Sequence, residues 1–166
     1  MRTLVVILAI LAGVGLLVGI TLVNYRYVLQ NPGGSDFLPR WVGTREYLMT
    51  GKSPYSQETT LEIQNQFYGR AAAPDEDQVL FVYPFYSIFV FAPFALIADF
   101  NTARAVWMTV LEVSIFLIAL GGIALSRWRL SPLQLGAILL FSLLSYYGIR
   151  ALINANASVL IGLFIV

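Results

Sequence analysis

The residues best suited to chemistry in this chain lie in one polar stretch between two apolar runs. The stretch begins with Ser35-Asp36-Phe37-Leu38-Pro39-Arg40-Trp41 and continues to Gly51-Lys52-Ser53-Pro54-Tyr55. A carboxylate just outside a bilayer, followed by an amphipathic segment with aromatic residues, is typical of a helix that lies in the headgroup region. Such a helix would hold Asp36 at the height of a lipid's phosphate and sugar, where it could remove a proton from an incoming hydroxyl group.

The composition restricts both the chemistry and the class of protein. The 166 residues are 58% hydrophobic and 11% charged, a balance typical of a membrane protein. The net charge of +1 provides no basic surface of the kind that attracts nucleic acid. Because the chain has no Cys and no His, it offers no thiol nucleophile, no His base and no zinc site of the usual ligand set. We therefore expect neither a metal nor a cofactor, and acid/base chemistry must come from Asp, Glu, Lys or Tyr.

Five apolar runs predict an all-α polytopic membrane protein. They cover residues 4–23, 80–98, 106–125, 133–149 and 159–166. The first run is long enough to cross a hydrocarbon core of about 30 Å, and no small-residue site follows it that would favour a cleaved signal peptide. Pro93 predicts a kink in the second span. The last run has no closing polar residue, so we expect residues 1–166 to form a single, incomplete transmembrane domain.

The polar segment from residue 24 to residue 79 is predicted to be one large loop with two amphipathic helices at the membrane surface. Ser35 is the predicted N-cap of the first helix, which should end near Gly51. The second helix is predicted from Ser56 to Tyr68, where Thr59-x-x-Glu62 has the spacing of a capping box. These helices would carry the candidate site residues on the membrane surface.

The order of the runs predicts that the loop shares one face of the membrane with Arg127-Trp128-Arg129, provided that the first three runs all cross. Arginine side chains bind phosphate oxygens in a bidentate manner, so Asp36 and this arginine pair could together handle a lipid phosphate. Two simpler interpretations stay open. Arg127 and Arg129 could be interfacial anchors, and Asp36 could be a first-turn residue that pairs with Arg40 at i+4.

A combination of short motifs resembles the start of the glycosyltransferase family 87 membrane enzymes. The motifs are Ser35-Asp36-Phe37, Trp41, Tyr47-Leu48-x-x-Gly51-x-x-Pro54-Tyr55, Phe81-x-Tyr83-Pro84, Pro93 and Trp107. Phe85 stands where family members commonly have a second proline, and Ala155-Asn156-Ala157-Ser158 stands in place of a later Gly-Gln-x-Asn pattern. The resemblance covers almost all of this chain but only the N-terminal portion of such an enzyme.

The family consists of polyprenol-phosphate-dependent mannosyltransferases and relatives with the GT-C fold, so the resemblance implies a GT-C-like helix bundle in the plasma membrane. It also implies an extracytoplasmic first loop in which Asp36 is the catalytic base. A mannose-like hexose would pass, with inversion, from a polyprenyl phosphate to a hydroxyl of a glycan or glycolipid acceptor. The candidate substrate- and phosphate-binding residues are Arg40, Arg127, Arg129, Tyr55 and Tyr83. The fragment alone is expected to be inactive.

Two features of the sequence favour other interpretations. The positive-inside rule argues for a cytoplasmic loop, because the membrane face that holds the loop would carry most of the Lys and Arg residues. Glu112 is an ionisable residue inside the third run and is a functional candidate in its own right. The alternative is therefore a non-catalytic polytopic scaffold or transporter-like subunit, whose loop helices bind a lipid or a partner.

Overall fold

The computed structural model describes residues 2–166, and helices are the only regular secondary structure in that range. The helices are α1 (Arg2–Gln30), α2 (Leu38–Thr50), α3 (Gln57–Tyr68), α4 (Ser87–Ala95), α5 (Phe100–Leu125), α6 (Pro132–Leu144), α7 (Tyr146–Asn154) and α8 (Ser158–Leu163). The predicted all-α class is confirmed. Two helices, α1 and α5, are long and apolar enough to cross a membrane.

The two candidate spans pack side by side and run in opposite directions. Thr21 of α1 lies 3.0 Å from Thr109 of α5, whereas Asn31, just after α1, contacts Arg104 near the start of α5. Between these contacts, the Asn24 amide donates to the Thr109 hydroxyl at 3.1 Å and to the Glu112 carboxylate at 3.0 Å. Hydrogen bonds between apolar helices hold them in register, because few other polar partners exist in lipid. The end of α1 and the start of α5 therefore meet at one end of the molecule.

The second apolar run does not form the predicted span. Only Ser87–Ala95 is helical, and nine residues rise about 14 Å, less than half of a hydrocarbon core. The chain before this helix is irregular because proline at Pro84 disfavours helical backbone at the residue that precedes it. At its other end, the indole of Trp41 donates to the carbonyl groups of Phe94 and Ile97. Helix α4 is thus capped by α2, and it buries Ile88, Phe91 and Ala95 against protein while Phe89 stays exposed.

The fourth and fifth apolar runs also differ from the simple spans that hydropathy predicts. The run over residues 133–149 is divided between α6 and α7, which meet at an angle of 48° and could form one bent span. Ser145 makes the break: its backbone is extended, and its hydroxyl accepts a hydrogen bond from the N–H of Gly148 to cap α7. The run over residues 159–166 forms only the short helix α8.

Both helices predicted in the polar segment are present. Helix α2 ends at Gly51, whose left-handed backbone (φ +73°) closes the last turn, as glycine does most readily. Helix α3 is capped by the Ser56 hydroxyl, which accepts from the N–H of Thr59. The prediction that Ser35 caps α2 was wrong. The N-cap is Phe37, with Pro39 in the first turn, since the preceding loop is held by other parts of the chain.

An aromatic core joins α2, α4 and α5. The ring of Phe37 stacks on Trp107 with a centroid distance of 5.6 Å and an interplanar angle of 7°, and both side chains are fully buried. Phe94 meets the same indole edge-on at 4.9 Å. The Trp107 N–H donates to the carbonyl of Ala155, so this residue also ties the core to the segment between α7 and α8.

We predict that Trp107→Ala lowers the free energy of unfolding by about 3–5 kcal/mol, because it removes a buried ring and leaves the Ala155 carbonyl without its donor. Unfolding by sodium dodecyl sulfate in mixed micelles would measure the change. Trp128→Ala is the matched control, because that indole is 62% exposed, and its cost should stay within about 0.5 kcal/mol. Equal losses in the two variants would contradict the aromatic core described here.

Candidate functional site

The loop that carries Asp36 is fixed by the end of α7. The Gly34 N–H donates to the carbonyl of Ile153 at 3.0 Å, and the Asp36 N–H donates to the carbonyl of Asn154 at 3.2 Å. Carbonyl groups in the last turn of a helix have no partner within the helix, so they are available to an incoming chain. The backbone of residues 34–36 thereby supplies partners to α7 and takes a defined position from it.

Arg104 holds the same loop from the side of α5. Its guanidinium donates to the carbonyl of Asn31 at 2.9 Å and to that of Ile153 at 3.1 Å. The side chain is 1% exposed and passes against Gly33 and Gly34, where a Cβ atom would lie within 2.6 to 2.8 Å of it. Glycine is required at both positions for the arginine to fit. Arg104 therefore joins the end of α1, the Asp36 loop and α7.

The Asp36 carboxylate is oriented by Asn156. The amide Nδ2 of Asn156 donates to Oδ2 of Asp36 at 2.7 Å, while its Oδ1 accepts from the backbone N–H of Ser158 at 2.8 Å. The second contact fixes which end of the amide faces the carboxylate. Within residues 2–166, Oδ1 of Asp36 has no hydrogen-bond partner. One carboxylate oxygen is held and the other is free to accept a proton.

Of the candidate binding residues, Arg40 and Tyr83 lie beside Asp36, and Tyr55 contacts Tyr83. The Arg40 guanidinium lies 3.7 Å above the centre of the Tyr83 ring and donates to the backbone carbonyl of Asp36. The Tyr55 hydroxyl donates to the backbone carbonyl of Tyr83. The expected i+4 contact between Asp36 and Arg40 thus forms through the backbone carbonyl, and the carboxylate stays with Asn156. Arg40 thus contacts Asp36 directly, whereas Tyr55 is connected to it only through Tyr83.

Asp36 lines a cavity of about 230 Å³, called the Asp36 cavity below. Its wall is formed by the Asp36 loop and the extended segment before α4, and it consists of Ser35, Asp36, Pro39, Asp77, Gln78, Val79, Leu80, Val82 and Tyr83. Burial raises the pKa of the Tyr83 phenol, with a smaller opposing effect from Arg40, so the phenol remains protonated at neutral pH. The cavity thus contains a proton acceptor and a potential hydrogen-bond donor.

The structure does not bring Arg127 and Arg129 to Asp36. Both are exposed in the turn after α5, at the end opposite to Arg104. From Arg104 to Leu125 the helix rises about 32 Å. The expected shared face required the second apolar run to cross the membrane, and α4 is too short to do so. The cation beside Asp36 is Arg40, whose pKa is lowered by burial but which stays charged because arginine holds its proton so strongly.

Two residues of this site were missed at the level of sequence. Asn156 belongs to the Ala155-Asn156-Ala157-Ser158 pattern, which predicts no contact with Asp36, and no motif includes Arg104. Both act on residues far away in the chain, since 120 residues separate Asn156 from Asp36. The only local signal was the pair Gly33-Gly34, which permits close approach of a bulky side chain.

No protein-family model, no curated protein and no solved structure matches this chain. The fold itself defines a class: an all-helical protein with two helices that could span a membrane. Any more specific function is argued below from the geometry around Asp36.

We predict that Gly34→Ala lowers the free energy of unfolding by more than a left-handed backbone alone explains, because the new Cβ would also displace the Asp36 loop from Arg104. Gly34 (φ +80°) and Gly51 (φ +73°) both have left-handed backbone, but a Cβ at Gly34 would meet Arg104 at 2.8 Å, whereas nothing lies within 4 Å at Gly51. Gly51→Ala should cost about 1–2 kcal/mol, and Gly34→Ala should cost about 1–3 kcal/mol more.

Hydrogen exchange at the Asp36 amide provides the local measurement, because this amide donates to α7. Its exchange should accelerate in Gly34→Ala and stay at the native rate in Gly51→Ala. If both variants lose the same stability and keep the same exchange, the contact between Arg104 and the loop does not position Asp36.

Proposed function

We propose that this protein is the Asp36-bearing portion of a GT-C-like membrane glycosyltransferase that transfers a hexose from a polyprenyl phosphate to a hydroxyl acceptor. The observation that carries the proposal is the asymmetric environment of Asp36, which lines a cavity and has one carboxylate oxygen held by Asn156 and the other without a partner within residues 2–166. A general base needs a fixed orientation and a free lone pair, and this arrangement supplies both. The resemblance of the motifs around Asp36 to family 87 gives the substrate class.

The proposed reaction is a direct displacement. Oδ1 of Asp36 takes the proton from an acceptor hydroxyl in the Asp36 cavity, and the acceptor oxygen forms a bond to the anomeric carbon. The bond between that carbon and the phosphate oxygen breaks, and the phosphate leaves with the electron pair. The anomeric centre is inverted and no covalent intermediate is needed. Asn156 acts as a positioning residue, since it keeps the carboxylate at a fixed angle.

Arg40 is the proposed cation for the departing phosphate. It is the arginine that contacts both the Asp36 backbone and the Tyr83 ring, and its charge is partly removed from water. Positive charge placed where negative charge develops is a large contribution to catalysis of group transfer. Arg127 and Arg129 take no part in this proposal, because they lie at the other end of α5. Their position suits interfacial anchors.

The proposal places α1 and α5 across the plasma membrane, with further crossing by the bent pair α6 and α7, which makes the chain polytopic. The α2 and α3 helices would lie at the extracytoplasmic surface. Exposed Tyr47, Leu48 and Leu61 on these helices could then enter the headgroup region, where aromatic and aliphatic side chains are favoured.

Asp36→Asn tests the catalytic proposal. In membranes that contain the intact protein, transfer from a polyprenyl-phosphate hexose should fall by about 10²- to 10⁴-fold, because the amide cannot accept the hydroxyl proton. Asp75→Asn is the matched control, since this carboxylate is exposed and lies outside the cavity. Native stability of both variants toward sodium dodecyl sulfate would establish that they fold. Native turnover in Asp36→Asn would remove Asp36 as the base.

A second candidate function rests on Glu112. This carboxylate lies within α5, lines two cavities of about 620 and 240 Å³, and has no cationic partner within residues 2–166. Asn24 is its hydrogen-bond donor. Ionisable residues inside membrane spans commonly mark lipid, ion or proton sites. A non-catalytic subunit that binds lipid or a partner would use this region and would not need Asp36.

Glu112→Gln separates the two functions. Glutamine preserves the shape and can still accept from Asn24, so a transferase that depends on Asp36 should retain the native rate of transfer. Binding of a spin-labelled phospholipid to purified protein would be measured in parallel. The non-catalytic function would be favoured by two results together. Glu112→Gln would lose both lipid binding and cellular activity, and Asp36→Asn would keep native activity.

A further inference from the structure

A second cavity adjoins the Asp36 cavity at Ser35, which lines both. It has a volume of about 650 Å³ and is bounded by the Asp36 loop, the end of α3 and the start of α5. It is called the α5 cavity below. Its volume falls in the range of about 300–1,000 Å³ that is usual for small-molecule sites. Because this cavity adjoins Asp36, the chemistry of its lining residues indicates which ligand could lie next to the carboxylate.

The apolar part of the lining consists of two phenylalanine rings together with Pro32 and Leu38. Phe100 is held in place by Phe37, with a centroid distance of 5.9 Å, and by Trp41, with a centroid distance of 5.4 Å. Phe67 is 42% exposed at the end of α3, where its ring meets that of Tyr68 edge-on at a centroid distance of 4.7 Å. Flat aromatic surface suits a ligand with a broad C–H face, because such a face loses little hydration when it packs on a ring.

The polar part of the lining consists of groups that are not used within the protein. The Ser35 hydroxyl and the Asn101 carboxamide have no hydrogen-bond partner within residues 2–166. Gln66 donates to Glu62 and keeps its carbonyl oxygen free. A carboxamide donates and accepts side by side, which matches two neighbouring hydroxyl groups. Aromatic rings together with amides and a hydroxyl indicate a polyhydroxylated ring as the ligand.

The charge of the lining argues against an anion. Arg104 reaches the cavity wall, but it is 1% exposed and both of its terminal nitrogens already donate to backbone carbonyl groups. No other Lys or Arg lines the cavity. The Nε of Arg104 has no hydrogen-bond partner within residues 2–166, but it is buried against Gly34, so a phosphate could not reach this guanidinium in the bidentate geometry that it prefers. The site therefore suits a neutral molecule.

We propose that the α5 cavity binds a neutral hexopyranose ring, which packs on Phe67 and Phe100 and hydrogen-bonds to Asn101 and Ser35. This inference rests on the proposed function in one respect: the shared Ser35 places the ring next to Asp36, as the donor's sugar or the acceptor's sugar. The ring chemistry is the same in both cases, and competition distinguishes the two sources.

Saturation-transfer NMR on the intact protein in lipid nanodiscs tests the proposal, with methyl α-mannopyranoside and methyl α-glucopyranoside as probes. A single ring of this size should bind with a Kd on the order of 1 mM. Asn101→Ala and Phe67→Ala should each weaken binding by about tenfold or more, because each removes one class of contact. Both positions tolerate alanine in a helix, and hydrogen exchange would verify the fold.

Asn65→Ala is the matched control, since this exposed asparagine is also on α3 but lies outside the cavity lining. Its affinity for the hexosides should equal that of the native protein. The proposal is overturned if native protein shows no saturable binding of either hexoside up to about 50 mM, which lies well above the expected Kd. It is also overturned if Asn101→Ala and Phe67→Ala bind like native protein, or if inorganic phosphate displaces the hexoside.

Competition assigns the source of the ring. Displacement of the hexoside by a polyprenyl-phosphate hexose, but not by free polyprenyl phosphate, supports the donor's sugar. Displacement by a soluble glycoside acceptor supports the acceptor's sugar. If hexoside binding depends on Asn101 but Asp36→Asn transfers hexose at the native rate, only the catalytic role of Asp36 is removed. Transfer that depends on Asp36, without hexoside binding, would remove only the α5 cavity assignment.

Discussion

The position of Asp36 depends on a buried guanidinium whose two terminal nitrogens donate to backbone carbonyl groups, while its Nε has no partner within residues 2–166. Arg104 donates to Asn31 and Ile153, and its stem lies against Gly33 and Gly34. A buried charge without hydrogen bonds would be strongly unfavourable, so these carbonyl groups cannot move away without a large cost. Because they belong to the end of α1 and the end of α7, one side chain fixes three segments relative to one another. The local order around Asp36 follows from that requirement.

The same use of unpaired helix carbonyls explains why hydropathy misjudged the second apolar run. The last carbonyl groups of α4 accept hydrogen bonds from Trp41 and Arg45 of α2, and Phe91 is buried among other aromatic rings. A hydropathy window registers that residues 80–98 are apolar but does not register whether lipid or protein covers them. Here protein covers part of the run, and Pro84 keeps its first residues out of the helix, whereas Pro93 lies within α4.

Features set by neighbouring residues could be predicted from the sequence, whereas those set by distant contacts could not. Gly51 ended α2 and Ser56 began α3 as expected, since a left-handed glycine and a serine cap act within one turn. Asp36, Arg40, Tyr55 and Tyr83 were grouped through the motifs that resemble family 87. Asn156 and Arg104 reach across the fold, and Ser35 lost its expected capping role because distant groups hold its loop. Nothing in their local sequence indicates these partners.

The charge around Asp36 bears on how a phosphate-linked substrate could be accommodated. Asp36 and Asp77 line the same cavity and no Lys or Arg does, so the cavity itself favours an uncharged hydroxyl over a phosphate. Arg40 lies at its border, over the Tyr83 ring and against the Asp36 backbone. A donor would then place its phosphate toward Arg40 and leave the carboxylates to the acceptor. This separation matters for the proposed displacement for two reasons. A carboxylate base and a leaving phosphate are both negatively charged, so they would repel each other in one pocket. A carboxylate paired with the Arg40 cation would also be a weaker base toward the hydroxyl proton.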